Sequence, residues 1–130
     1  MIRIKLTSVL VDDQAKAEHF YTTVLGFQKK HDLPLGEARW LTVVSPAEPD
    51  GTELLLEPLG GVAEATSYQQ ALFNAGMPIT AFAVDDLDAE YDRLQALGVA
   101  FRGTPSKPDI GPATVELNDT CGNLIQLVQV

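Results

Sequence analysis

Few residues of this chain carry side chains suited to nucleophilic or metal chemistry. There is one cysteine, Cys121, and there are two histidines, His19 and His31. A reactive thiolate needs a basic neighbour or similar activation. Cys121 stands in the run Asp119-Thr120-Cys121-Gly122-Asn123, where no histidine is close and Asp119 opposes a thiolate. A catalytic cysteine is therefore not expected. A lone cysteine also excludes an intramolecular disulfide and a cysteine-based zinc site, and it fits a reducing compartment, the cytoplasm. His19 lies beside Phe20, off the apolar stripe of a helical pattern, and is expected to face solvent. His31 follows a strand pattern close to Asp32; a surface position is its default, with a non-standard site as the minor alternative. Trp40 is the one tryptophan, on the strand pattern Arg39–Ser45, which is apolar on both faces. It either stacks on a flat ligand or joins the core, and the core is the default for an aromatic on a strand. Gly60-Gly61 alone does not make a phosphate loop.

The elements that must position these residues repeat. Val11-Asp12-Asp13 recurs as Val84-Asp85-Asp86, and Leu25-Gly26-Phe27 as Leu97-Gly98-Val99. In the first copy a strand pattern, Ile2 to Val11, leads to an Asp12/Asp13 cap, since a short carboxylate accepts from the free N–H groups of a first helical turn. Ala17, Phe20, Tyr21 and Val24 then form one apolar stripe, and Gly26 closes the helix. The second copy has Ile79 to Val84, the Asp85/Asp86 cap, the stripe Leu87, Tyr91, Leu94, and Gly98. Three strand patterns follow each helix: Phe27–Lys30, Arg39–Ser45 and Thr52–Pro58, then Ala100–Arg102, Ala113–Asn118 and Leu124–Val130. Each half reads β-α-β-β-β, which predicts an α+β fold. It is read as one domain over residues 1–130, with module one at 1–58, a linker with a short helix at 59–78, and module two at 79–130. Tyr68 and Gln69 on that linker either close one end of a pocket or lie in a surface or dimer contact. The loop Gly103 to Pro112 either rims a site or simply connects strands.

Composition narrows the function classes. The chain has 130 residues and a formal net charge of -9, with 45% hydrophobic and 21% charged residues, as expected of a single soluble domain rather than a disordered chain. The only adjacent basic pair is Lys29-Lys30, which argues against a nucleic-acid partner. Apolar runs such as Val9-Leu10-Val11 and Leu54-Leu55-Leu56 fall far short of the roughly 20 residues of a membrane span. Asp12 and Asp13 close the first apolar stretch too early for a secretory signal.

One helix for about four strands leaves a sheet face uncovered, and two such modules side by side would form a concave trough, a natural small-molecule site. The chain resembles the vicinal oxygen chelate superfamily, which contains glyoxalase I, bleomycin and fosfomycin resistance proteins, methylmalonyl-CoA epimerase and extradiol dioxygenases. The resemblance is carried by Val11-Asp12-Asp13 with Phe20-Tyr21-Thr22-Thr23-Val24-Leu25-Gly26-Phe27, by Leu54-Leu55-Leu56-Glu57-Pro58, and by Asp119-Thr120-Cys121-Gly122-Asn123-Leu124-Ile125-Gln126-Leu127. It spans almost the whole chain. Cys121 stands where the family's hairpin has an aspartate.

The resemblance implies two βαβββ modules in tandem, forming a curved mixed sheet with a ligand trough. In metal-dependent members, each module gives one ligand from its first strand and one from its last. An ungapped count puts Leu6 and Ile79 at the first-strand positions and Glu57 and Gln126 at the last-strand positions. Neither Leu6 nor Ile79 can bind a metal, and an amide is a weak ligand. No metal ligand and no cofactor is therefore expected. The expected ligand pocket is Leu6, Trp40, Leu55, Glu57, Ile79, Leu124 and Gln126. It would hold a small organic molecule, sequestered or acted on with Glu57 as general base; an apolar lining would make that carboxylate a better base by desolvation. A water bridging Glu57 and Gln126 in a satisfied interior network is the bland alternative. A divalent-metal-dependent lyase, isomerase or dioxygenase with an atypical ligand set including Glu57 is the alternative function, and a pure dimerising module a third. The family also implies a homodimer.

Overall fold

The structure is a computed structural model that describes residues 1–130. Its elements are β1 (Leu6–Val11), α1 (Gln14–His19), β2 (Gln28–Leu35), β3 (Ala38–Val44), β4 (Glu53–Pro58), α2 (Ala63–Asn74), β5 (Thr80–Val84), α3 (Leu87–Ala96), β6 (Phe101–Ser106), β7 (Thr114–Asn118) and β8 (Leu124–Gln129). They form two four-stranded sheets, ordered β1-β4-β3-β2 and β5-β8-β7-β6. In each, the first strand pairs in parallel with the last and the remaining pairs are antiparallel. This is the tandem βαβββ plan that the repeat predicts, with neither sheet closed into a barrel. Contacts divide the chain into two compact units, Met1–Thr66 and Ser67–Val130, with the division inside α2. No helix is long and apolar enough to cross a membrane.

In the first unit, the Asp13 side chain accepts from the Lys16 N–H at 2.9 Å and starts α1 as its N-cap. After His19 the helix widens into a π-helical turn over Phe20–Val24, where the Leu25 N–H reaches the Phe20 carbonyl at 2.9 Å. Periodicity alone predicts an unbroken α-helix there. Phe20 and Tyr21 are both buried, with rings edge to face at 5.6 Å. Val9, Val11, Leu41, Val43, Leu54 and Leu56 alternate onto one sheet face and are buried, with Ala17 and Tyr21 supplying the apolar side of the helix. A fully buried Leu or Val contributes about 2 kcal/mol relative to exposure, so this layer holds the unit together.

The expected strand Ile2–Val11 forms only from Leu6. Its partner β4 begins at Glu53, opposite Leu6, so earlier residues lack a strand to pair with, and Ile2 and Ile4 stay exposed. Conversely, β2 runs on to Leu35 in a hairpin with β3, and β6 takes in Gly103–Ser106 of the expected loop.

In the second unit, Asp86 caps α3 by accepting from the Ala89 N–H at 3.1 Å. Leu87 and Leu94 of α3 are buried, as are Val115, Leu117, Ile125 and Leu127 on one face of the sheet. The Tyr91 and Phe101 rings meet at 4.6 Å. The Ser67–Asn74 part of α2 belongs to this unit and is tied to the hairpin before β8. The buried Gln69 amide donates to the Cys121 carbonyl and to Asn123 Oδ1, both at 3.1 Å. The hairpin is itself organised by buried Asp119, which accepts from the Cys121 N–H (2.7 Å), the Asn123 N–H (3.0 Å) and Asn123 Nδ2 (2.8 Å). Gly122 is pressed against Gln69 in a positive-φ conformation.

Candidate functional site

Strand pairing decides which side chains share a face. In the first sheet, Leu6, Ser8 and Leu10 stand opposite Glu53, Leu55 and Glu57. Leu55 stands opposite Thr42, and Thr42 opposite His31. Alternation then puts Trp40 on the same face, opposite Leu33. This is the face away from the Val9–Leu41–Leu56 core. Leu6 and Leu33 are exposed there, at 46% and 55%, while Leu10, Trp40 and Glu57 are half-buried and Leu55 is nearly buried. Trp40 is therefore not a core residue, although core is the default for an aromatic on a strand. The structure places Leu6, Trp40, Leu55 and Glu57 on one face of the first sheet.

In the second sheet, Gln126 stands opposite Ala81 and Glu116, and Leu124 opposite Asn118. Ile79 lies just before β5, and its N–H donates to the Leu124 carbonyl at 2.9 Å. Leu124 and Gln126 share the face away from α3, where Gln126 is half-buried and Leu124 buried. A cavity of about 350 Å³ opens at the end of this sheet, lined by Phe73, Arg102, Asn118 and Leu124 among others.

The register corrects one equivalence. Ser8 pairs with Leu55 as Ala81 pairs with Gln126, so the counterpart of Gln126 in the first unit is Leu55, and that of Glu57 is Val128. Reading Glu57 and Gln126 as matching last-strand positions is two residues out of step, about 7 Å along a strand. A two-residue slip keeps the face and changes only the depth, so alternation could not reveal it. Leu6, Leu55 and Ile79 carry no donor, and no group of three or more His, Cys, Asp or Glu side chains is arranged to hold a metal ion within either unit.

Sequence reasoning left out a polar cluster on the first unit's face away from the core. His31 Nδ1 lies 2.7 Å from Glu53 Oε1, and the fully buried Thr42 hydroxyl donates to the same oxygen at 2.7 Å. The His31 N–H donates to Thr42 Oγ1 at 3.2 Å. The Thr42 hydrogen bond, and then that of His31, hold the Glu53 carboxyl below the usual carboxylate range. The signal in the sequence was alternation, because Glu53 has the parity of Leu55 and Glu57, and Thr42 that of Trp40.

A second network lies at Arg39, whose guanidinium binds Glu18 (2.6 Å) and Asp32 (2.8 and 3.0 Å), with Lys29 joining both acids. Arg39 chiefly holds the Asp32 carboxyl down to about 2. Asp32 stands opposite Leu41, so this network belongs to the core-side face and not to the face that carries Trp40 and Glu57. His19 is exposed, as expected, and Cys121 is fully buried in its hairpin. Tyr68 is exposed while Gln69 is buried.

Comparison with known proteins agrees with the fold. The family model of the Glyoxalase/Bleomycin resistance protein/Dioxygenase superfamily matches residues 3–127. The Bacillus subtilis (strain 168) protein YurT is 50% identical over 129 residues, covering 98% of this chain and 99% of YurT. The crystal structure of UcmS2 superposes with a TM-score of 0.84 at 29% identity, over 98% of each chain. That of TnmS3, an antibiotic binding protein from Streptomyces sp. CB03234, gives 0.75 at 30% identity, over 99% of this chain and 96% of TnmS3.

Proposed function

Because the chain belongs to the Glyoxalase/Bleomycin resistance protein/Dioxygenase superfamily, we propose that it binds a small organic molecule on the ligand face of its first sheet, without a tightly bound metal. The observation that carries the reading is the mixed character of that face. Leu6, Leu33 and the half-buried Trp40 offer apolar and aromatic surface, and Glu57 adds a polar group that can orient a ligand. Small-molecule sites have this make-up: mostly apolar, with few polar groups. The likeness to an antibiotic binding protein supports the same class of ligand. The metal-free reading rests on donor chemistry. Leu6, Leu55 and Ile79 offer no donor, and Gln126 offers a neutral amide. The bound molecule is either sequestered or acted on with Glu57 as general base, and the protein works as a homodimer.

Metal analysis of protein prepared without chelator or affinity tag, with Glu57→Ala as control, tests the metal-free part. No bound metal, and stability unmoved by Ni, Zn, Mn or Fe(II), is the expected result. About one metal per chain, lost in the Glu57 variant, would overturn it in favour of a metal-dependent lyase, isomerase or dioxygenase. Light scattering on a sizing column tests the homodimer: a mass of two chains is expected, and 14.0 kDa would refute it.

A further inference from the structure

We propose that His31 is the acceptor for the hydroxyl group of an aromatic ligand, its ring locked by Glu53 and Thr42 with the proton on Nδ1 and the lone pair on Nε2. The inference rests on the small-molecule reading above and names the ligand's chemical class.

The lock follows from hydrogen-bond inventory. An ionised carboxylate can only accept. Glu53 Oε1 takes one proton from the Thr42 hydroxyl and lies 2.7 Å from His31 Nδ1, so the proton in that second contact must come from the ring. In neutral imidazole, a proton on Nδ1 leaves the lone pair on Nε2. Thr42 cannot change the arrangement. Its hydroxyl proton is committed to Glu53, and its oxygen already accepts from the His31 N–H. Nε2 has no partner within the chain, and the His31 side chain is 46% exposed.

The surroundings select the ligand. Leu33 lies two residues along β2 from His31, on the same face, and stands opposite Trp40. An aromatic system packed on Trp40 and Leu33 therefore has its edge about 7 Å along the strand, at His31, which is the span of two fused rings. Glu53 and Glu57 on the same face, together with the net charge of -9, disfavour a carboxylate or phosphate there. A neutral hydroxyl answers an acceptor nitrogen without bringing negative charge. The cluster thus recognises a hydroxyarene by its O–H, with the ring on Trp40.

The test compares 7-hydroxycoumarin with 7-methoxycoumarin, titrated at neutral pH into the full chain and its His31→Phe and Glu53→Ala variants, with affinity read from Trp40 fluorescence. Nitrogen-15 spectra of His31 report the tautomer independently. The expected result is a preference for the hydroxyl compound of about tenfold, one good hydrogen bond. The ratio should fall to about one in His31→Phe. The Nδ1–H signature should be present in the parent protein and lost in Glu53→Ala, while unchanged circular dichroism shows that both variants fold. Equal binding of the two coumarins, an unchanged ratio in His31→Phe, or an Nε2–H ring in the parent protein would overturn the role of His31 and leave small-molecule binding standing. Binding of neither coumarin also overturns it; the broader reading fails only if a wide ligand screen is blank as well.

Discussion

Replacing Gln69 by alanine should cost far more than its place on a linker helix suggests. The amide is buried and donates two hydrogen bonds of 3.1 Å, to the Cys121 carbonyl and to Asn123 Oδ1. Both acceptors lie in the hairpin that leads into β8. Each bond contributes about 1 kcal/mol net, and more where its loss strips a buried acceptor. Truncating a buried side chain packed on Gly122 adds about another 1 kcal/mol of lost contact. The sum is about 3 kcal/mol, or about 10 °C in midpoint for a chain of this length. Urea unfolding followed by far-ultraviolet circular dichroism measures it, with Gln70→Ala as control. Gln70 is the exposed neighbour on α2, and its replacement should stay within about 0.5 kcal/mol. A double-mutant cycle with Asn123→Ala should show coupling of about 1 kcal/mol. Equal stabilities for the Gln69 and Gln70 variants would refute the claim that this amide fastens α2 to the hairpin.

Two further outcomes follow from the same geometry. Gly122→Ala and Gly26→Ala both place a side chain at positive φ, +100° and +92°, so both incur about 1–2 kcal/mol of backbone strain. Only at Gly122 would the new Cβ fall 2.5 Å from Gln69 Oε1, so that variant should lose about 1–3 kcal/mol more in the same unfolding assay; equal losses would contradict the close packing of Gln69 on the hairpin. Asp32 is ionised in the folded chain down to about 2, against an ordinary value of 3.8. Its depressed value gives stability that is present above 3.8 and lost as pH falls towards 2. Arg39→Met should therefore move the acid-unfolding midpoint to higher pH, and an unmoved midpoint would show that the Arg39–Asp32 pairing is energetically idle.

The parts legible in the sequence were those written in local chemistry. Asp13 and Asp86 announced their helices through short acceptor side chains, and both cap as expected. The recurrence of Val-Asp-Asp and Leu-Gly exposed the duplication, and with it the fold. What stayed hidden depended on partners distant in sequence. Ile2 and Ile4 have strand-like side chains, but strand formation needs a partner, and β4 begins too late to supply one. The π-helical turn at Phe20–Val24 changes the hydrogen-bonding pattern without changing the apolar stripe. Alternation placed Leu55 and Glu57 on one face correctly, yet a period of two cannot fix depth along the strand, so Glu57 was matched to Gln126 where Leu55 belongs. His31 is exposed, as the surface reading expects, but its contact with Glu53 is invisible in the sequence because nothing near it points to a residue 22 positions away. Asp32, adjacent to it, faces the other side of the sheet.

The most direct test of the central claim is a thermal-shift screen of aromatic metabolites and drugs against chelator-treated protein, with every hit titrated by Trp40 fluorescence. The account predicts at least one compound that raises the midpoint and changes Trp40 emission with chelator still present. Stabilisation only on adding Ni, Zn, Mn or Fe(II), and lost in Glu57→Ala, would contradict it, as would ligands that bind without perturbing Trp40.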